Sequence, residues 1–259
     1  MNYGLYLSSS GLLTNSYRQD VFANNLANVN TVGFKPDLAA VQARSPKSME
    51  DNLAMDVSSQ LMDRLGGGVY AAPQRTAFAP GPPEPTSRPM DAYLEGRLDF
   101  FQVQAPGPGG RVETQLTRDG RLMTDDRGRL VTPQGFPVLD NKGRTIDLPQ
   151  GVPTRIGSEG WITDERGQRL AQVGVVRVSE PMALKKAGGN RFVMVADAGL
   201  ERLDSPEVRG GTLEGSAVDP ISALMQVIDA TKAASGNARM IRYHDTVMDQ
   251  AINTFGRVA

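Results

Sequence analysis

A single histidine, His244, and no cysteine set narrow limits on the chemistry open to this chain of 259 residues. Nucleophilic catalysis would need His244 as the base for some serine. No G-x-S-x-G precedes it, and with Tyr243 and Asp245 it falls in the pattern of a terminal helix. Without thiolates, neither a disulfide framework nor a cysteine-based metal site can form. H-E-x-x-H, the Walker A loop and G-x-G-x-x-G are all missing. Carboxylates remain. Asp119 and the pair Asp125-Asp126 have the types that bind calcium or cleave a glycoside, but they lie in turn sequences. Asp is favoured there because its side chain bonds the local backbone. Gly107-Pro108-Gly109-Gly110 reads as a hairpin tip rather than a phosphate cradle, since no helix pattern follows it. The expectation is a chain with no catalytic residue, no cofactor and no metal.

Bulk properties agree with that. With 39% hydrophobic and 22% charged residues the chain should fold. A net charge of −1, with no run of five like charges, makes nucleic acid and anionic membranes poor partners. No stretch approaches the ~18 apolar residues a bilayer span requires, so no direct membrane insertion is expected. The start, MNYGLYLSSSGLLTNSYRQD, lacks a basic n-region and a long apolar core, and does not read as a Sec signal peptide.

The elements that would position any site divide into helical ends and a β-rich middle. From Tyr3 to Asn28, Leu5, Leu12 and Leu26 keep a seven-residue register with Gln19 at the missing step, and Leu13, Tyr17 and Val21 form a second row. That predicts a helix of roughly 26 residues, about 39 Å long. Ser9, Ser16 and Gln19 interrupt its apolar face. At the other end, Asp219 as N-cap and Pro220 at the first helical position open a row through Leu224, Ile228, Thr231, Ala234, Ala238, Ile241, Met248, Ile252 and Phe255. About 36 residues would reach about 54 Å. A helix that long with so thin a stripe needs partners: the N-terminal helix first, then neighbouring subunits.

Between the helices, Arg44 to Met90 is rich in Pro, Ser, Gly and Ala and reads as linker, with a possible short amphipathic helix from Met49 to Leu65. From Asp91 to about Asp197 the period becomes two. Gly120, Gly128, Gly135, Gly143, Gly151, Gly160, Gly167 and Gly174 recur every seven to nine residues, several in turns such as Asp126-Arg127-Gly128 and Asn141-Lys142-Gly143. Short apolar runs separate them: Phe100 to Val103, Leu130-Val131, Val138-Leu139, Ile146 to Leu148 and Val173 to Val178. This spacing predicts a compact antiparallel β domain with short hairpins, with Trp161 in its core. The expected fold is α+β: two long terminal helices packed together like a coiled coil, flanking that domain. The divisions are residues 1–43 (helix and exit loop), 44–90 (linker), 91–200 (β domain) and 201–259 (return segment and C-terminal helix).

One segment is far more specific than its local structure demands. Ala23 to Asp37, ANNLANVNTVGFKPD, reads physically as a helix end and exit loop. Its asparagines would offer amides to terminal carbonyls, Gly33 would take φ > 0, and Phe34-Lys35-Pro36 would lead away extended. The order A-N-N-L-A-N-x-x-T-x-G-F-K resembles the N-terminal signature of the bacterial flagellar axial proteins, the rod, hook and hook-associated family. Thr86 to Val103, TSRPMDAYLEGRLDFFQV, is similar to that family's entry strand, and Thr117-Arg118-Asp119-Gly120 with Gly128-Arg129-Leu130-Val131 to its following hairpin. Gly211 to Pro220, GTLEGSAVDP, is similar to its return into the last helix. Asp99 departs from a usual glycine, Ala217 from a usual asparagine, and Ala234-Ser235 from an aromatic and acidic pair.

The resemblance implies a structural subunit of the flagellar basal-body rod, most simply the proximal-rod protein, with the distal-rod protein as alternative. It implies export through the flagellar type III apparatus without a cleaved signal, and residence in the rod where it crosses the periplasm. Its partners would be itself and other rod and hook axial subunits. On this reading Leu5, Leu12, Leu26, Leu224, Ile228, Ile241, Ile252 and Phe255 pack helices between subunits. Asn24, Asn25, Asn28, Thr31, Gly33 and Phe34 fix the exit corner. The competing class is a soluble β-rich enzyme or binding module.

Overall fold

The structure, a computed structural model, describes residues 3–45, 67–107, 110–196 and 199–255. The stretch Met49 to Leu65 and the side chain of Phe255 lie outside the described residues. The chain forms two compact units. One comprises Met1–Ala27, Asp37–Arg75 and Pro220–Ala259, and the other Asn28–Pro36 and Thr76–Asp219.

The first unit is built on two helices, α1 (Tyr3–Ala27) and α2 (Pro220–Phe255). They pack antiparallel: Gly4 faces His244, and Gly11 faces Asn237. The two glycines leave room for the side chains that face them. A Cβ on Gly4 would lie 2.5 Å from the His244 ring, and one on Gly11 2.8 Å from the Asn237 amide. Pro220 opens α2 where its missing N–H costs nothing. The strands Val41–Ala43 and Val69–Ala71 pair antiparallel beside α1, where the Thr14 hydroxyl reaches the Val69 carbonyl at 3.5 Å.

The faces of α2 divide by size. Ala223, Ala230 and Ala234 are buried, and Val227, Asn237, Ile241 and His244 are half-buried, following alternating steps of four and three residues. This is a coiled-coil seam made mostly of small side chains. The bulky residues of the expected stripe, Leu224, Ile228, Met248 and Ile252, are exposed in the single chain.

The second unit centres on a six-stranded antiparallel sheet. Its order is Leu184–Gly188, Arg191–Met194, Val112–Thr117, Asp99–Pro106, Val175–Val178, Leu200–Arg202. Both faces are covered, so Phe100 and Phe101 are both buried although they point opposite ways. Phe101, Val103 and Val175 join Leu122, Leu130, Val138, Ile146 and Ile162 in the larger core. Phe100 joins Phe78 and Phe192 in an aromatic cluster on the other side, with ring centroids 5.3–5.8 Å apart. Val138-Leu139 and Ile146 to Leu148 form single bridges rather than strands. Trp161 is not in the core. It is half-buried at the start of the strand Trp161–Asp164, with the Arg169 guanidinium 4.9 Å from its ring centroid.

Candidate functional site

The most concentrated chemistry in the molecule is a buried charge cluster in the β unit. Glu214 closes the strand Thr212–Glu214 and is 1% exposed. One of its carboxylate oxygens accepts from Lys35 Nζ at 2.7 Å and from the Gly81 amide at 2.8 Å. The other accepts from Arg118 Nε at 2.7 Å. Lys35 Nζ also donates to the Ala79 carbonyl at 2.7 Å. The Arg118 guanidinium also donates to the Gly96, Asp99 and Leu94 carbonyls, and lies 5.8 Å from the Phe100 ring centroid. Burial alone would raise the Glu214 carboxyl, but Arg118 and Lys35 outweigh it and hold the group below its ordinary value. Burial in turn pushes the Lys35 ammonium below its ordinary value, against the pull of Glu214.

Such a cluster holds parts together rather than turning anything over. Its donors and acceptors point at one another and at main chain, which is how buried charge is made tolerable. The three residues come from the three motifs quoted above: Lys35 from G-F-K-P, Arg118 from T-R-D-G, Glu214 from G-T-L-E-G. None was singled out as a site residue from the sequence. For Lys35 and Glu214 the available signal was a charged residue between apolar and glycine neighbours, Phe34 and Pro36 in one motif and Leu213 and Gly215 in the other; Arg118, between Thr117 and Asp119, carried no such signal.

The exit corner builds one side of the site. Gly33 has φ +66°, and its amide donates to the Glu214 carbonyl at 2.7 Å. A Cβ there would lie 2.6 Å from the Arg118 carbonyl oxygen, so the position excludes side chains by conformation and by space. Phe34 is buried, accepts from the Ala217 amide, and carries Lys186 Nζ 4.3 Å above its ring. The Thr31 hydroxyl donates to the Asn28 side chain, and Phe34 N–H to the Thr31 carbonyl. Asn25 does something other than cap its own helix. Its amide donates to the Asp37 carbonyl at 2.8 Å, and its Oδ1 accepts from the Asp37 amide at 2.9 Å. It therefore clasps the returning chain. Asn24 is exposed.

The carboxylate candidates are turn residues. Asp125 Oδ1 accepts the amides of Arg127 and Arg129, and its other oxygen takes the Arg129 side chain at 2.9 Å. Asp119 is paired with Arg121. Among the described residues no group of His, Asp and Glu is arranged to hold a metal ion. His244 lies between the helices, over Gly4. Of the helix residues, Leu5, Leu12, Leu26 and Ile241 are half-buried, and Leu224, Ile228 and Ile252 are exposed.

Helices from both chain ends paired together, with an inserted β unit closed by a salt-bridged core, define a structural protein of the assembling kind. Residues 5–35 match the family described as Flagella basal body rod protein, and residues 94–170 the Flagellar hook protein FlgE/F/G D1 domain. The chain is 30% identical over its full length, and that of its relative, to the flagellar basal-body rod protein FlgF of Caulobacter vibrioides. It is 28% identical to the rod protein FlgG of Bacillus subtilis over 96% of this chain and 97% of the relative. The chain belongs to the flagellar basal-body rod protein family.

Proposed function

We propose that this chain is a proximal-rod subunit, which assembles with copies of itself and with other rod and hook subunits through the outward face of α2 and the half-buried leucines of α1. The observation that carries the reading is the division of α2: alanines serve the contact within the chain, while Leu224, Ile228 and Ile252 are 50%, 42% and 66% exposed. A stripe of large aliphatic side chains left in water marks a surface made to be covered. The end-to-end likeness to a relative named FlgF supports the proximal position, with the distal rod as the alternative. The reading includes export through the flagellar type III apparatus without a cleaved signal, and a role without enzymatic turnover.

Ile252→Asp tests it. A carboxylate on that face would have to be desolvated without a partner, at a cost of several kcal/mol per interface. Swimming should be lost and the subunit should be missing from purified basal bodies, with the thermal transition of the β unit unchanged. Normal swimming would remove the packing assignment. Complementation of proximal-rod and distal-rod deletion strains separates the two positions.

A further inference from the structure

Residues 28–36 leave the helical unit, and their main-chain bonds are made inside the β unit. The Gly33 amide meets the Glu214 carbonyl, and the Phe34 carbonyl accepts from Ala217. The Val32 carbonyl takes the Asn190 side-chain amide, the Lys35 carbonyl takes Lys186 Nζ, and the Pro36 carbonyl accepts from Ala77. The segment starts and returns at one place, because Asn25 and Asp37 are joined by the reciprocal pair of amide bonds. Around Glu214 the fit is close. The Gly215 amide bonds Pro82, and a Cβ on Gly81 would lie 2.0 Å from the Gly215 carbonyl oxygen.

We propose that the β unit carries an acceptor site for a Gly-Phe-Lys-Pro segment, filled within the chain by residues 28–36, and that filling it closes the return segment around Glu214. Phe34 is the apolar anchor and Lys35 the charged one. Withdrawing the segment removes the ammonium from a carboxylate that is then left with Arg118 and the Gly81 amide. It also removes the acceptor of Ala217 and the donor to the Glu214 carbonyl, so 79–82 and 214–217 open with it. The strands Asp99–Pro106 and Val112–Thr117 pair with each other and stay closed. The β unit thus has two stable levels, an autonomous sheet and a latch. The inference concerns this chain alone and holds whichever rod position it occupies.

Native-state hydrogen exchange on the full-length chain in sub-denaturing urea tests this without any substitution. The amides of Gly33, Phe34, Gly81, Gly215 and Ala217 should exchange through one common opening, at least tenfold more often than those of 99–106. Exchange of all these amides only by global unfolding would overturn the proposal, as would five unrelated openings. The second arm is Lys35→Met in the full chain. It should speed exchange at Gly81 and Gly215 at least tenfold while the 99–106 amides keep their wild-type rates. If only Gly33 and Phe34 respond, the segment is a passive strap and the acceptor site does not exist.

Discussion

Gly33 and Glu214 show how a residue's environment sets its role here. At Gly33, alanine would have to adopt φ +66° and place its Cβ against the Arg118 carbonyl. Backbone strain alone costs on the order of 1–3 kcal/mol. Gly33→Ala should therefore lower the melting temperature of the β unit, and thermal unfolding followed by circular dichroism reads the shift; an unchanged transition would make Gly33 an ordinary loop residue. Glu214→Gln leaves two cations in a site built for three charges, and breaking a buried ion pair costs about 3–5 kcal/mol. The pH dependence has a definite sign. Glu214 is held below its ordinary value of 4.5, so its contribution is fully present above that pH and is lost as pH falls through the lower folded value. Wild type should lose stability below about pH 4.5 more steeply than Glu214→Gln; parallel denaturant midpoints across pH 3–7 would contradict the assignment. The left-handed Gly33 was legible in the sequence, because a helix end followed by G-F-K-P demands such a turn. The Lys35–Glu214 contact was not. Its partners are 179 residues apart, and no local pattern encodes a pairing at that separation.

At the scale of elements, the hairpin turns repeat one device. Asp125, Asp140 and Asp164 each accept two backbone amides through one carboxylate oxygen, from the residues two and four positions on. The glycines one position before the second donor, Gly128, Gly143 and Gly167, have φ +83°, +78° and +79°. Arg129 and Arg144 close the first two turns by pairing with the same Asp. Backbone bonds from Arg129, then its side chain, hold Asp125 below the ordinary carboxylate value. Asp140 stands below it too, since burial, which would raise it, is outweighed by the Arg144 and Lys142 amides. Asp140→Ala should cost about 1–3 kcal/mol by denaturant titration, for two hydrogen bonds at roughly 0.5–1.5 kcal/mol each. Asp126→Ala, within a turn but exposed, should stay within about 0.5 kcal/mol; equal effects at the two sites would remove the carboxylate–amide bonds from the account. The glycine and aspartate spacing made these turns legible, as Asp219-Pro220 did the start of α2. Val138-Leu139 and Ile146 to Leu148 were legible as apolar runs of the β domain, but the form they take was not. Here each makes only single bridges while its side chains fill the core.

For the whole molecule, the helical pattern stated how long α2 would be but not which of its faces would meet α1. The apolar row mixed the two faces: its Ala234 and Ile241 lie toward α1, its Leu224, Ile228 and Ile252 point outward, and it left out Ala223 and Ala230, which the chain's own contact buries against a helix carrying Gly4 and Gly11. Close backbone approach needs small side chains, and hydrophobicity scales rank those low. Two faces with separate uses should respond to separate substitutions. Ala230 is fully buried, so Ala230→Leu would overpack the seam at about 1–3 kcal/mol and lower helicity in the dilute monomer. Leu224→Ser with Ile228→Ser touches only side chains that are about half exposed in the single chain, so the monomer should keep its circular dichroism spectrum. If that face is covered on assembly, losing the two contacts removes about 2–3 kcal/mol per interface, a weakening of self-association of roughly 30- to 150-fold. Sedimentation velocity over a concentration series measures it. Should the double variant associate as wild type does while Ala230→Leu alone abolishes assembly, the outward stripe is incidental and the subunit contact lies elsewhere on the chain.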